Sequence, residues 1–184
     1  DTPTEAWRSA MTLSRKLTLH KNNTNGFYLK NYPVASIDEY SYDTVEHDTM
    51  KSGMSLSSEN YNEQRLDFKI PGNLDDFELN FTNVNKESLK LSYDSSKSQF
   101  ILDRTDSGIT DFETSFGAKP HIAPAIIDDK DDVDFTIIMD TSSIEVFIDG
   151  GSTVFTDQIF PTTPFTALTF TSENATIANL KVSK

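Results

Sequence analysis

Three carboxylates lie within ten residues of one another in the last third of the 184-residue sequence. They are Asp140, Glu145 and Asp149, in the stretch DTSSIEVFIDGG. Paired carboxylates are the usual acids and bases of glycoside hydrolysis. The two carboxyl groups stand about 5–5.5 Å apart in retaining enzymes and about 6.5–9.5 Å apart in inverting ones. Their spacing therefore decides whether such a pair could act in this chemistry.

The local sequence pattern argues that these three acids are structural. The apolar residues of SIEVFI alternate with others, which is typical of a strand with one buried face. Glu145 and Asp149 then share the outer face, and a rise of about 3.3 Å per residue separates them by about 13 Å, too far for either mechanism. Asp140 precedes a Thr-Ser-Ser turn, where an aspartate commonly accepts bonds from local backbone amides.

Phe147 is the unusual residue of this strand, because it lies on the same outer face as Glu145. A large aromatic side chain on an outer face indicates that something covers that face. We expect Phe147 to be exposed in the isolated chain and to contact another domain or a partner subunit.

Other groups of potentially reactive residues match no known site. The acidic run Asp128–Asp134 could bind calcium, but Lys130 occupies a ligand position of an EF-hand loop and no glycine follows, so we interpret the run as a solvated loop. His20, His47 and His121 have no metal-ligand spacing and no nucleophile beside them. The sequence has no cysteine and no glycine-rich phosphate loop. We expect no metal site and no cofactor.

The charge of the chain argues against two classes of partner. The formal net charge is −13, which repels the phosphates of nucleic acids and the surface of anionic membranes. No apolar run approaches the about 20 residues needed to span a bilayer. We expect neither nucleic acid nor a membrane as a partner.

Apolar and polar residues alternate along most of the chain. The alternation is clear in RLDFKI, DFELNFTNV, SLKLSYD, DVDFTIIMD and SIEVFIDG, and it returns near the C-terminus. Turn residues separate these runs at intervals of about 8–12 residues. We expect Ser36–Gly53 to be a long loop with a helical turn. The pattern predicts one all-β domain over residues 1–184, a β-sandwich of two antiparallel sheets.

Three Asn-x-Ser/Thr sequons make Asn22, Asn80 and Asn174 candidates for N-glycosylation. Asn22 and Asn174 fall in turn-like segments. Asn80 alternates with the apolar residues Leu79 and Phe81, so it should face solvent. The sequons favour a secreted protein of the extracellular or cell-wall space. No signal peptide is present, and we interpret the chain as a processed or excised piece.

Three segments together resemble one protein family. They are EAWRSAMTLSRKLTL (Glu5–Leu19), FILDRTDSG (Phe100–Gly108) and DTSSIEVFIDGGSTVFTDQIFP (Asp140–Pro161). In order and spacing they resemble the C-terminal module of invertases and inulinases, the β-fructofuranosidases of glycoside hydrolase family 32, and above all those that yeasts secrete. The resemblance extends over Thr2–Val182.

The resemblance implies an enzyme of two modules. An N-terminal five-bladed β-propeller carries the catalytic acids, and a β-sandwich follows it. The propeller motifs Asn-Asp-Pro-Asn-Gly, Arg-Asp-Pro and Glu-Cys are missing here, so the family's catalytic residues have no positions in this chain. Glu145 matches the glutamate of the family's structural Ser-Ser-x-Glu-x-Phe strand. Asp149 stands where many members have asparagine before glycine.

We therefore expect a non-catalytic C-terminal module of a secreted β-fructofuranosidase. Its partners would be the propeller of the same enzyme and further copies in a homo-oligomer, with sucrose or fructan bound mainly by the missing propeller. Trp7, Arg8 and Phe147 are the candidates for domain-interface residues, because large aromatic and arginine side chains are common at junctions.

Two alternative functions follow from the same sequence. One is an independent fructan-binding or carbohydrate-binding module, in which exposed tyrosines stack on sugar rings. Its candidate residues are Tyr28, Tyr32, Tyr40, Tyr42 and Tyr61. The other is an adhesion or interaction sandwich with no catalytic partner.

Overall fold

Alternating sequence produces strands along most of the chain. The computed structural model describes residues 1–4, 7, 9–24, 26–72, 74–127 and 132–184. The strands in chain order are β1 (Arg15–Asn22), β2 (Gly26–Pro33), β3 (Val45–Met50), β4 (Ser55–Ser57), β5 (Arg65–Pro71), β6 (Phe77–Thr82), β7 (Ser88–Asp94), β8 (Gln99–Asp106), β9 (His121–Pro124), β10 (Asp132–Asp140), β11 (Ser143–Ile148), β12 (Thr153–Gln158), β13 (Ala167–Ser172) and β14 (Ile177–Ser183). Two short 3₁₀ helices cover Ala35–Tyr40 and Tyr61–Glu63.

Twelve of these strands form two six-stranded sheets, which pack face to face as a sandwich. Sheet I has the order β12-β11-β10-β5-β14-β3, and sheet II has the order β4-β13-β6-β7-β8-β9. Among the described residues, strands β1 and β2 pair only with each other, as a separate hairpin before the sandwich. All these pairings are antiparallel, so the predicted fold class is confirmed.

The core lies between the two sheets and is built around aromatic rings. Phe68 and Phe135 of sheet I stack in parallel, with ring centroids 4.9 Å apart. Phe77 and Phe100 of sheet II approach the Phe135 ring edge-on, at 5.8 and 6.0 Å. These offset and edge-on geometries are the favourable ones for aromatic pairs. The cluster therefore holds the two sheets together.

Polar contacts close one edge of the sandwich, where β9 of sheet II meets β12 of sheet I. His121 Nδ1 lies 2.8 Å from Asp157 Oδ1, so this histidine is paired across the two sheets. Arg104 lies 3.7 Å from the same carboxylate and donates to the Gln158 carbonyl at 2.9 Å. Burial lowers the pKa of Arg104, and the nearby Asp157 carboxylate opposes that change. The contact between Arg104 and Asp157 therefore joins the two sheets.

The segment Ser36–Gly53 differs in part from its predicted form. The helical turn is confirmed as the 3₁₀ helix, but the long loop is wrong, because Val45–Met50 forms strand β3. This strand lies at the edge of sheet I, and Met50 is its buried residue. An edge strand that is mostly solvated needs no apolar alternation, so the sequence VEHDTM carries no strand signal.

Candidate functional site: the junction of the hairpin with sheet I

Glu145 anchors the segment that leads into the hairpin. Its Oε1 accepts a bond from the Leu13 amide at 2.8 Å, and its Oε2 pairs with Arg15 Nη2 at 2.6 Å. The two charged side chains retain only 18% and 8% of their exposure, for Arg15 and Glu145 respectively. An ion pair so removed from water is favourable only when its geometry is good and its other polar atoms are bonded.

Arg15 makes further contacts around this pair. Its guanidinium donates to Thr156 Oγ1 at 2.6 Å and to Asn31 Oδ1 at 3.0 Å. It also lies 5.0 Å from the centroid of the Phe147 ring, within the range of a cation–π contact. The planar, permanently charged guanidinium suits such a site, because it can bond in its plane and stack on an aromatic face.

Phe147 is fully buried, so the expectation that it is exposed in the isolated chain is wrong. It does point away from the core between the sheets, as the alternation predicted. Tyr32 of the hairpin covers it, with ring centroids 5.6 Å apart in an edge-on arrangement. The outer face of β11 is therefore covered by the chain's own hairpin.

A chain of hydrogen bonds continues from Tyr32 into sheet I. The Thr136 hydroxyl donates its one proton to Asp67 at 2.6 Å. The Tyr32 hydroxyl lies 2.8 Å from the Thr136 oxygen and therefore donates to it. Asp67 also accepts a bond from Arg65 Nε at 2.7 Å. Burial raises the pKa of Tyr32, and the bond to Thr136 offsets part of that rise. The hydroxyl therefore keeps its proton at neutral pH, as its donor role requires.

Backbone contacts at the turn between β11 and β12 complete the junction. The Asn31 amide donates to the Gly151 carbonyl at 2.9 Å. A Cβ atom on Gly151 would lie 2.2 Å from the Asn31 carbonyl oxygen, and Gly151 has a φ of +83°, so glycine is required there. Asp149 is buried in the same turn, and its Oδ2 lies 3.3 Å from Lys30 Nζ. An aspartate at this position thus supplies a counter-charge for a buried lysine.

The three carboxylates that could have formed a catalytic set are each held in structural contacts. Glu145 and Asp149 bind cations of the hairpin, and Asp140 accepts a bond from the Thr141 amide at 2.7 Å. In the described part of the chain, no group of three or more histidine, aspartate or glutamate side chains could hold a metal ion. No helix among those residues is long and apolar enough to cross a membrane.

The remaining interface and loop candidates belong to the N-terminal segment and to the segment before strand β10. Trp7 is partly exposed in the N-terminal segment, and its carbonyl accepts a bond from Thr4 at 2.7 Å. Arg8 lies outside the described residues, as does 128–131 of the acidic run. The rest of that run begins strand β10.

The sequons occupy three different settings. Asn22 ends strand β1 and is half-buried. Asn80 points away from the core on β6, but it is also half-buried, and its Oδ1 is enclosed without a bonding partner among the described residues. Asn174 is exposed and donates a bond to Asp75.

The five tyrosines do not form a common stacking surface. Tyr61 is buried in the core, and burial raises its pKa to about 12. Tyr40 and Tyr42 are exposed, while Tyr32 lies at the junction. Tyr28 lies beside His20 on the hairpin, with ring centroids 6.0 Å apart.

The hairpin has a second face, which the sequence analysis missed. Four apolar side chains that are 55–69% exposed share this face: Leu17, Leu19, Phe27 and Leu29. We call these four residues the hairpin apolar face. The alternation in LTL and FYL, on either side of a turn with Asn and Gly, was the available signal.

Comparison with protein families identifies the sandwich. Residues 34–184 match the family described as "Glycosyl hydrolases family 32 C terminal". The match begins directly after strand β2, so the hairpin precedes it.

Curated relatives agree with this match. The chain is 33% identical over 171 residues to the extracellular exo-inulinase of Aspergillus niger, covering 86% of this chain and 31% of that protein. It is 29% identical over 174 residues to the levanase of Bacillus subtilis, covering 88% of this chain and 24% of that protein. The chain therefore spans about a third or less of the length of these relatives.

Solved structures share the fold. The exo-inulinase from Aspergillus awamori superposes with a TM-score of 0.80 and 26% identity, covering 100% of this chain and 37% of that one. A fructofuranosidase from Schwanniomyces occidentalis gives a TM-score of 0.77 at 19% identity, covering 99% of this chain and 41% of that one.

Replacement of Glu145 by alanine should destabilise the chain strongly. It would leave the shielded Arg15 guanidinium without its carboxylate and the Leu13 amide without its acceptor, at a cost of about 3–5 kcal/mol in the free energy of unfolding. Glu46→Ala is the matched control, because Glu46 pairs with Lys181 at 2.9 Å on the same sheet but both side chains are exposed. The control should cost about 0–1 kcal/mol. Equal losses in urea unfolding for the two variants would contradict the anchoring role of Glu145.

Proposed function

Because the chain belongs to glycoside hydrolase family 32 as its C-terminal domain, we propose that it is the non-catalytic sandwich of a secreted β-fructofuranosidase. The relatives named exo-inulinase and levanase support fructans as substrates of the whole enzyme, and the name "extracellular" supports secretion. In this proposal Asn22, Asn80 and Asn174 remain candidate glycosylation sites, and hydrolysis belongs to a catalytic domain outside this chain.

The hairpin apolar face carries the proposal. A two-stranded hairpin is marginally stable alone, and this one contacts sheet I through Tyr32 and Lys30 on one face while its other face exposes four large apolar residues. The hairpin lies outside both sheets and just before the part that matches the family. We infer that the catalytic domain of the same enzyme packs on this face.

The size of the apolar face suits a permanent contact within one enzyme. Full burial of a Leu or Phe side chain is worth about 1.5–3 kcal/mol, so completing the burial of these four partly exposed side chains would contribute on the order of 5 kcal/mol. Lys21 lies 5.1 Å from the centroid of the Phe27 ring, and thus keeps a charge at the rim of the face. A polar rim around an apolar centre is the usual composition of a protein interface. The C-terminal domain would therefore stabilise the catalytic domain through the hairpin.

The purified chain should not release fructose from sucrose or from inulin. Its best-placed carboxylates, Glu145 and Asp149, already neutralise Arg15 and Lys30, so neither is available as an acid or a nucleophile. The measurement is fructose release by the chain and by its Glu145→Gln variant. Turnover by the chain that disappears in the variant would overturn the non-catalytic role.

The docking role can be tested in a chimera in which this chain replaces the C-terminal third of the Aspergillus niger exo-inulinase. Joint replacement of Leu19 and Phe27 by serine should lower the melting temperature of the chimera by about 5 °C, because apolar contact with the catalytic domain is lost. The same replacements in the free chain should change its stability by no more than about 0.5 kcal/mol, since the two side chains are exposed there.

Val84→Ser provides the matched control for this experiment, because Val84 is an exposed apolar residue in the turn between β6 and β7. It should leave the chimera and the free chain alike unchanged. Equal destabilisation of chimera and free chain by the hairpin variant would contradict docking. Docking would also be contradicted if the free chain formed dimers that dissociate in the hairpin variant while the chimera kept its stability. The hairpin apolar face would then bind a second copy of the chain.

A further inference from the structure

A groove with a volume of about 700 Å³ crosses the outer face of sheet I beside the hairpin. Its lining includes Tyr32 of the hairpin, Asp67 and Lys69 of β5, Asp134 of β10 and Lys181 of β14. Ligand sites in proteins commonly measure about 300–1,000 Å³, so the groove is large enough for a bound molecule. It is distinct from the hairpin apolar face.

The floor of the groove carries polar groups that are already oriented. The Tyr32 hydroxyl, the Thr136 hydroxyl and the Asp67 carboxylate form one hydrogen-bonded series across it. Arg65 binds Asp67 at 2.7 Å and holds that carboxylate in place. Polar groups fixed in this way do not have to be ordered when a ligand binds, which lowers the entropic cost of association.

The walls of the groove present paired charges within reach of a ligand. Lys69 lies 3.3 Å from Asp134, and Lys181 lies 2.9 Å from Glu46. The four side chains are 43–66% exposed, so their unused donor and acceptor positions face solvent. Each wall therefore offers both donors and acceptors.

The charges of the groove restrict the class of ligand. The carboxylates of Glu46, Asp48, Asp67 and Asp134 exceed the ammonium groups of Lys69 and Lys181, so phosphates and other anions are repelled. The described residues contain no cluster suited to a metal ion. A neutral molecule with many hydroxyl groups, which both donate and accept, fits this lining.

We propose that the groove binds an uncharged oligosaccharide and, resting on the function proposed above, that this oligosaccharide is a fructan. Tyr32 belongs at once to the groove and to the junction, because it lines the groove and also contacts Phe147. The junction that orients the hairpin therefore also sets one wall of the groove. The C-terminal domain would hold a fructan chain while the catalytic domain acts on the enzyme's substrate.

The proposal can be tested by titrating the purified chain with a short inulin-type fructo-oligosaccharide and following backbone amide shifts by NMR. A maltose-type oligosaccharide of the same length serves as the comparison sugar. We expect saturable shifts at Thr136, Asn179 and Lys181, with a dissociation constant in the millimolar range. Joint replacement of Lys69 and Asp134 by alanine should raise that constant about tenfold, because hydrogen bonds from both residues are lost.

The matched control is the joint replacement of Lys90 and Glu78 by alanine, which removes a similar exposed pair, 3.6 Å apart, from the outer face of sheet II. Its dissociation constant should stay within about twofold of the parent value. No saturable shift, shifts confined to residues outside the groove, or an equal loss in the control would overturn the site. Equal binding of the maltose-type sugar would overturn the assignment to fructans. Docking is measured separately, by the stability of the chimera, so failure of one proposal is distinguishable from failure of the other.

Discussion

The Arg15 guanidinium is the contact on which the junction depends. This one planar cation binds Glu145, Thr156 and Asn31 and lies against the Phe147 ring. A charge withdrawn from water is costly unless it is paired and bonded, and the Arg15 Nε is buried without a bonding partner among the described residues, so the four contacts together must offset that cost. The same requirement explains why the outer face of β11 carries a glutamate and a phenylalanine where a solvated strand would carry small polar residues.

The junction gives the two faces of the hairpin different roles. One face is fixed to sheet I by Tyr32 and Lys30, Arg15 binds Glu145 at the start of β1, and the Asn31 amide adds a backbone bond to the turn between β11 and β12. The other side keeps its leucines and Phe27 exposed. A hairpin fixed in this manner holds its free face at a defined position relative to the sandwich. It also bounds the groove on the outer face of sheet I. Rigid attachment and an open apolar surface are both needed for a module that stabilises a neighbouring domain.

Much of this fold follows from local sequence, but the site does not. Alternation predicted the central strands correctly, because their side chains face the core and solvent in turn. It also predicted that Phe147 faces away from the core, and it failed on what covers that residue. Period-two patterning reports which side a residue faces and carries no information on which distant segment packs there. Arg15 and Glu145 are 130 positions apart, so their pairing depends on tertiary topology. Strand β3 was missed for a related reason, since a solvated edge imposes little pattern.

The most direct measurement is native-state hydrogen exchange at the Asn31 amide, whose bond to the Gly151 carbonyl exists only while the hairpin lies on the sandwich. Exchange of a bonded amide reports the free energy of the opening that exposes it. We expect this amide to be protected in the intact chain. Protection should fall by more than about 100-fold in Glu145→Ala, in line with the loss of a shielded ion pair, and by no more than about fivefold in Glu46→Ala, whose ion pair with Lys181 is exposed. Exchange of the Asn31 amide at the rate of an unstructured peptide in the intact chain would contradict the account.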